Sequence, residues 1–574
     1  MKSISAWTTL CRDAMFRCMK RFFGCLPVLV CCAVPAIAGE LPAVELAIPA
    51  AVKSLAKPSA AAGVPAGAEI AVSAASEAAQ RQVNSGMAYL QAGWDFQASR
   101  HFAAAMTADP QCLLAHWGMA LCLIDPGPEN LAARDAALKR LFGLVESGAG
   151  TELERGYAYG LLRYIEAGPS AAADAYGKVS ARFPNELQAA MLAALFGRGG
   201  FDPAGNPNPS QETSENRLRT LMAKHPGNPV PQYALLFIRA EGAVGGESLA
   251  MALGLAIHWP DFAPYQHTLG HYEWRSGNHS RASEAFGRAA SHYRKWMDTQ
   301  GIAVADCPEW LKSRCYQIMA MHSMGETEAA LAAASELAAI PMDPDRPASA
   351  GNRFLMWEVK TLPARLLISE GNGKARKAAA TLPKPEVLAP FRDHSLACLW
   401  IDGLRLLLEV RALLDEGETE AAREAQIALA RHGELMARAR HAAQAGGEIS
   451  PWSSAFRSME ILTSELRGDI ALAGQSDTIR ASAFNWFSAA AERQSPASLQ
   501  MPPAVLTPMA GRLGDFLMAE GKTAEALAAY GRALALFPAH PGLLAALEIA
   551  LRKDGRDDDA DETSRRLKSL GIQN

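Results

Sequence analysis

The chain has 574 residues, of which 49% are hydrophobic, 20% charged and 7% aromatic, and its formal net charge is −4. That balance suits a folded protein rather than a disordered one. The near-neutral charge offers no basic surface for nucleic acid, so none is expected as a partner.

The chain opens with an export-signal pattern. Arg12, Arg17, Lys20 and Arg21 form a basic region, and Cys25 to Ala38 follows as an apolar run too short to span a bilayer as a mature helix. Ala36-Ile37-Ala38 places small residues where a signal peptidase reads them, so residues 1–38 are expected to be a cleaved signal. An uncleaved anchor is the alternative. The mature protein is then expected to be periplasmic or secreted, with no membrane span. Residues 39–78, rich in Ala, Pro, Val and Ser, read as a flexible tether. Five of the ten cysteines lie in the signal region, leaving Cys112, Cys122, Cys307, Cys315 and Cys398. That is neither a disulfide framework nor a zinc pattern. Cys112 with Cys122, or Cys307 with Cys315, could pair on export, and burial as small apolar side chains is the competing reading.

From residue 79 the pattern is helical. Gly86, Ala98, Phe102, Ala105 and Pro110 stand at fixed offsets, and the same comb recurs at Gly160, Ala172, Tyr176, Val179 and Pro184. A third copy, Gly270, Ala282, Phe286 and Ala289, lacks only the proline, and a fourth is Gly514, Ala526, Tyr530, Ala533 and Pro538. Small residues sit where two helices touch, a ring fills the gap between them, and proline stops the second helix. Between the copies, a Gly/Pro/Asn-rich stretch near 198–215 reads as a surface insertion, and proline breaks near 342 and 500 divide the array. The expected organisation is helical repeats over 79–342, degenerate repeats over 343–500, and a closing pair over 501–574. The charged last helix would serve as a polar cap.

The comb is the tetratricopeptide (TPR) pattern, which repeats about every 34 residues. It implies an all-α superhelical solenoid of antiparallel helix pairs. The mature chain also resembles a family of large bacterial TPR proteins. HFAAAMTADPQCLLAHWGMAL is similar to that family's opening repeat, and LGDFLMAEGKTAEAL after MPP to its last. KHPGNPVPQYALLFIRAEGA resembles a family segment reading HPG…HYYIH, and QHTLGHYEWRSGNHSRASEAF one reading HMPSHIY. His225, His267 and His271 match those histidine-rich patches, whereas Gln232 to Leu236 lacks both histidines of its counterpart and CPEWLKSRCYQ has none. Any metal held there in relatives would not be held the same way here.

The candidate site follows from the repeat register. His267, His271, Trp274 and Arg275 fall on a first helix, the helix that lines the concave groove of a TPR array, as do Tyr157 and Tyr164. Arg suits a carboxylate and Trp an apolar or cationic group, so the set is expected to contact a protein or peptide partner. The aromatics also fit core packing. His267 and His271, at i and i+4, present two metal ligands on one face. A third would have to come from elsewhere, for example His225 or His258, and two satisfied histidines with no metal is the plainer reading. No HExxH, Walker A, GxGxxG or GxSxG pattern is present, so neither cofactor nor catalysis is expected. The sequence reads as an exported scaffold. The alternatives are a metal-dependent enzyme using His267 and His271, and a structural subunit of a cell-envelope complex.

Overall fold

Every glycine of the comb meets the ring it was expected to meet. The computed structural model describes residues 56–59, 63–124, 128–202 and 205–570, so the signal, its cleavage position and the first part of the tether lie outside the described residues. A Cβ on Gly86, Gly160, Gly270 or Gly514 would stand 2.9, 2.4, 2.7 or 2.6 Å from the ring of Phe102, Tyr176, Phe286 or Tyr530 respectively. Helix backbones approach this closely only because those side chains are absent.

The first hairpins are α1 (Glu77–Gln91) with α2 (Asp95–Ala108), α3 (Leu113–Cys122) with α4 (Leu131–Glu146), and α5 (Glu152–Ala167) with α6 (Pro169–Arg182). Then come α7 (Leu187–Gly197) with α8 (Pro209–Lys224), α9 (Pro229–Arg239) with α10 (Gly246–His258), and α11 (Ala263–Arg275) with α12 (His279–Gln300). Next, α13 (Pro308–Ser323) pairs with α14 (Thr327–Ala338), while α15 (Ala350–Trp357) leads by a 3-10 turn into α16 (Leu362–Ser369), which packs on α17 (Ala375–Thr381). The rest comprises α18 (Pro385–Leu388), α19 (Ala397–Asp415), α20 (Thr419–Arg438), α21 (Arg440–Ala445), α22 (Ile449–Leu472), α23 (Asp477–Ala481) and α24 (Ala483–Arg493). The chain closes with α25 (Met509–Ala519), α26 (Thr523–Leu536), α27 (Pro541–Lys553) and α28 (Asp557–Ser569). The hairpins stack in chain order, and the buried apolar side chains run the length of the array. No strand occurs among the described residues beyond one isolated bridge, Phe201–Pro207, and no described helix is long and apolar enough to cross a membrane.

Local chemistry sets the helix ends. Thr151 and Glu154 form a reciprocal capping box on α5, which satisfies two backbone donors that the helix start leaves free. The stretch expected as an insertion near 198–215 is only partly loop. Asn208 caps α8 and Pro209 occupies its first position, so the polar residues from 209 onward are helical. The Asn-Pro pair that read as a break is a helix start.

The described part of the expected tether, residues 56–59 and 63–76, lies against the body. Ala68 and Ile70 are buried. The amides of Ile70 and Val72 donate to Asn84 Oδ1 and Gln80 Oε1 at 3.3 and 2.9 Å. Ser73 donates through its amide and hydroxyl to Glu154, at 3.0 and 2.6 Å, and Asn228 donates to the Gly67 carbonyl at 3.0 Å. Extended backbone packed on a helical body needs such side-chain partners, because it makes no ladder of its own. All five described cysteines are free, and all but Cys122 are buried.

Candidate binding groove

The groove-facing positions are filled, and the filler is the chain itself. Residues 494–508, the proline break before α25, run across the first helices of three successive hairpins: α11 through His267, α13 through Lys312 and Tyr316, and α16 through Arg365. His267 Nε2 donates to the Leu499 carbonyl at 3.2 Å, and its Nδ1 lies 3.1 Å from Ser313 Oγ. Burial, with Lys312 adding to it, pushes the His267 pKa well below its ordinary value, so the ring is neutral with its proton on Nε2. The Tyr316 hydroxyl sits between the carbonyls of Ser498 and Met501, 2.9 Å from the latter. Lys312 Nζ donates to Gln500 Oε1 at 2.9 Å. Arg365 Nη1 reaches the Pro503 carbonyl at 3.5 Å.

Five of the six expected site residues are buried, and Tyr164 is half-buried. His271 Nε2 donates to the Ala240 carbonyl at 3.0 Å, and burial, then Arg275, lowers its pKa to about 3. Trp274 Nε1 donates to Ser323 Oγ at 3.2 Å, and Arg275 Nη1 donates to the carbonyls of Ala240 and Gly242 at 2.5 and 2.8 Å. Tyr157 is fully buried against Trp117 and Tyr176, and Tyr164 packs on Phe196. These two belong to the packing between hairpins. Among the described residues no group of three His, Cys, Asp or Glu side chains is placed to hold a metal ion. His267 has both nitrogens engaged within the protein. The groove residues that sequence reasoning missed are Lys312, Tyr316 and Arg365.

A titratable cluster lies beside Lys312. Burial raises Glu309 to about 7 and Asp95 to about 6, with Lys312 opposing both. Glu309 Oε2 is buried without a hydrogen-bond partner, so the ionised form is poorly solvated. The folded state thus binds the Glu309 proton more tightly than the unfolded chain between their two pKa values. Its contribution is fully present below the unfolded value of about 4.5 and is lost as pH rises through about 7. Lys312, lowered by burial, works in the opposite direction. The buried histidines, their pKa values lowered, add stability as pH rises towards 6.5, so the Glu309 contribution is read as a difference. From about pH 5 to about pH 8 wild type should lose on the order of 1–3 kcal/mol of stability relative to Glu309→Gln in thermal melts. Parallel stability curves for the two proteins across that range would remove Glu309 as a pH-dependent contributor.

No family model and no curated protein matches the chain. Solved structures with similar outlines include a monomeric IFIT1 mutant with m7Gppp-AAAA, at 12% identity over 79% of this chain and 90% of that one, with a TM-score of 0.30. Yeast Tom70 is 10% identical over 84% and 89%, at 0.26. The P58(IPK) TPR domain is 13% identical over 83% and 97%, at 0.19. Scores this low decide nothing; the hairpins themselves do. Four of them carry a first-helix glycine against a second-helix ring sixteen residues on, with the small residues of the comb, Ala98, Ala172, Ala282 and Ala526, fully buried between them. They are TPR hairpins. The chain is an all-α TPR solenoid, and a further glycine-ring pair between neighbouring helices, Gly468 against Phe487 at 2.5 Å, is spaced by nineteen because α23 intervenes.

Proposed function

We propose that this protein is an exported, non-catalytic scaffold whose concave groove binds a protein or peptide partner in extended conformation. One observation supports the reading most directly: side chains from three first helices, through His267, Tyr316 and Arg365, are set to donate to main-chain carbonyls of a proline-rich segment without helix or strand. Donors aimed at carbonyls recognise backbone shape rather than one side chain, as extended-peptide binding requires. In this reading, residues 494–508 hold the groove in cis and a partner of similar character takes their place. A tethered copy has an effective concentration of about millimolar, so a free partner competes only when it binds more tightly or when the cis segment loosens.

The test uses the full chain and a labelled peptide copying residues 494–508. Leu499→Gly/Gln500→Ala, which weakens the cis segment and leaves the groove donors in place, is expected to lose hydrogen-exchange protection in residues 497–501 and to bind the peptide saturably, while wild type binds it weakly or not at all. A variant that loosens the segment and still ignores the peptide would overturn the reading. Export is tested separately, by fractionating the cells that make the protein and sequencing its mature N-terminus.

A further inference from the structure

Between the 494–508 segment, helices α11 to α13 and the turn before α27 there is a cavity of about 140 Å³. At roughly 10–15 Å³ of such space per water it has room for about ten. Its walls combine cationic or hydrogen-bonding groups with apolar ones. Arg275, His279, His322 and His540 line it together with Met319, Leu506, Leu536 and Phe537, and no carboxylate does.

Arg275 carries the inference. It is 9% exposed, and its hydrogen bonds go to two helix-end carbonyls, which supply partial charge and no counter-ion. The carboxylate that acts on it, Glu241, is itself exposed to solvent. A guanidinium held this deep beside an open cavity costs folding energy unless an anion answers it. The three histidines are held neutral by burial, each with its pKa lowered, His540 to about 4. His540 Nδ1 accepts from the Leu543 amide at 3.2 Å, which leaves its proton on Nε2 as a donor. His322 feels Glu370, which does not line the cavity.

From this lining we infer that the cavity binds a small organic anion, its carboxylate on Arg275 and its apolar group against the apolar lining residues, Leu506 and Phe537 among them. The cavity adjoins the groove and can be occupied while 494–508 stays seated, so its failure would leave the groove reading untouched. Because the segment forms one wall, an occupant also braces it.

Calorimetry on the full chain uses benzoate as probe, benzamide as its neutral counterpart and phenyl phosphate as the alternative head group. Benzoate is expected to bind one to a chain with a Kd near or below about 1 mM, as its few atoms allow. Benzamide should bind at least about tenfold more weakly, and Arg275→Gln should lose benzoate by a similar factor while Arg275→Lys keeps part of it. His322→Leu removes a second donor without touching Arg275, and should weaken benzoate while leaving the melting temperature near wild type. Phenyl phosphate binding in place of benzoate would keep the site and assign it a phosphoryl head group. Equal binding of benzoate and benzamide, full retention in folded Arg275→Gln, or no anion binding at about 10 mM would overturn it.

Discussion

Glu358→Ala is expected to destabilise the middle of the solenoid by about 3–5 kcal/mol, more than a surface ion pair could account for. Glu358 ends α15 and Arg365 lies in α16, with side chains 5% and 1% exposed. Arg365 Nη1 donates to Glu358 Oε2 at 2.8 Å and Nη2 to the Glu358 carbonyl at 3.1 Å. Burial raises the carboxyl above its ordinary range, with Arg365 opposing that rise. Truncating the acid leaves the buried guanidinium with only the Glu358 and Pro503 carbonyls to face. Removing both charges is a different matter: Glu358→Leu/Arg365→Met should recover most of the loss, because two desolvation costs disappear together. Arg365 also reaches Pro503, so Glu358→Ala should loosen residues 504–508 in hydrogen exchange, and the double variant should not restore that contact. Urea unfolding of wild type and both variants separates the outcomes. A double variant as unstable as Glu358→Ala would show that the loss comes from altered packing rather than from an unpaired charge.

The hairpins were legible because a repeat confines its chemistry to short, fixed offsets. Gly86 and Phe102 are sixteen residues apart and touch, so a linear pattern contains the contact. Gly468 and Phe487 do the same job at a spacing that the inserted α23 lengthens, and the comb passed over them. The groove was legible only by half. Register correctly placed His267, His271, Trp274 and Arg275 on a first helix, but could not show that residues more than two hundred positions later cover His267. Composition misled at 63–76, where Ala, Val and Pro suggested slack chain. What orders that stretch is a set of polar partners on distant helices, Asn84, Glu154 and Asn228, and no local pattern announces them. Likewise Tyr316 was hidden in a segment noticed mainly for the histidines it lacks.

The second large effect is predicted at Phe102, whose ring is fully buried and lies against two glycines, Gly86 of α1 and Gly118 of α3. Phe102→Ala should cost about 3–5 kcal/mol, since neither glycine offers a side chain to fill the space. A Cβ on Gly118 would stand 2.3 Å from the ring, closer than any real contact, so Gly118→Ala must push Phe102 off its rotamer at a cost of about 1–3 kcal/mol. The two changes should then fail to add. With the ring gone, the methyl introduced at position 118 meets open space, fills part of the void and gains about 1 kcal/mol of helix propensity over glycine. Gly118→Ala is thus expected to change sign, destabilising alone and neutral or stabilising beside Phe102→Ala, with a coupling of about 1–3 kcal/mol or more. Because solenoid stability is a sum over neighbouring units, the loss belongs to α1 to α4. Hydrogen exchange on those helices measures it more directly than a whole-chain melt. Strict additivity would mean that the ring and the glycine do not share the space between the first two hairpins.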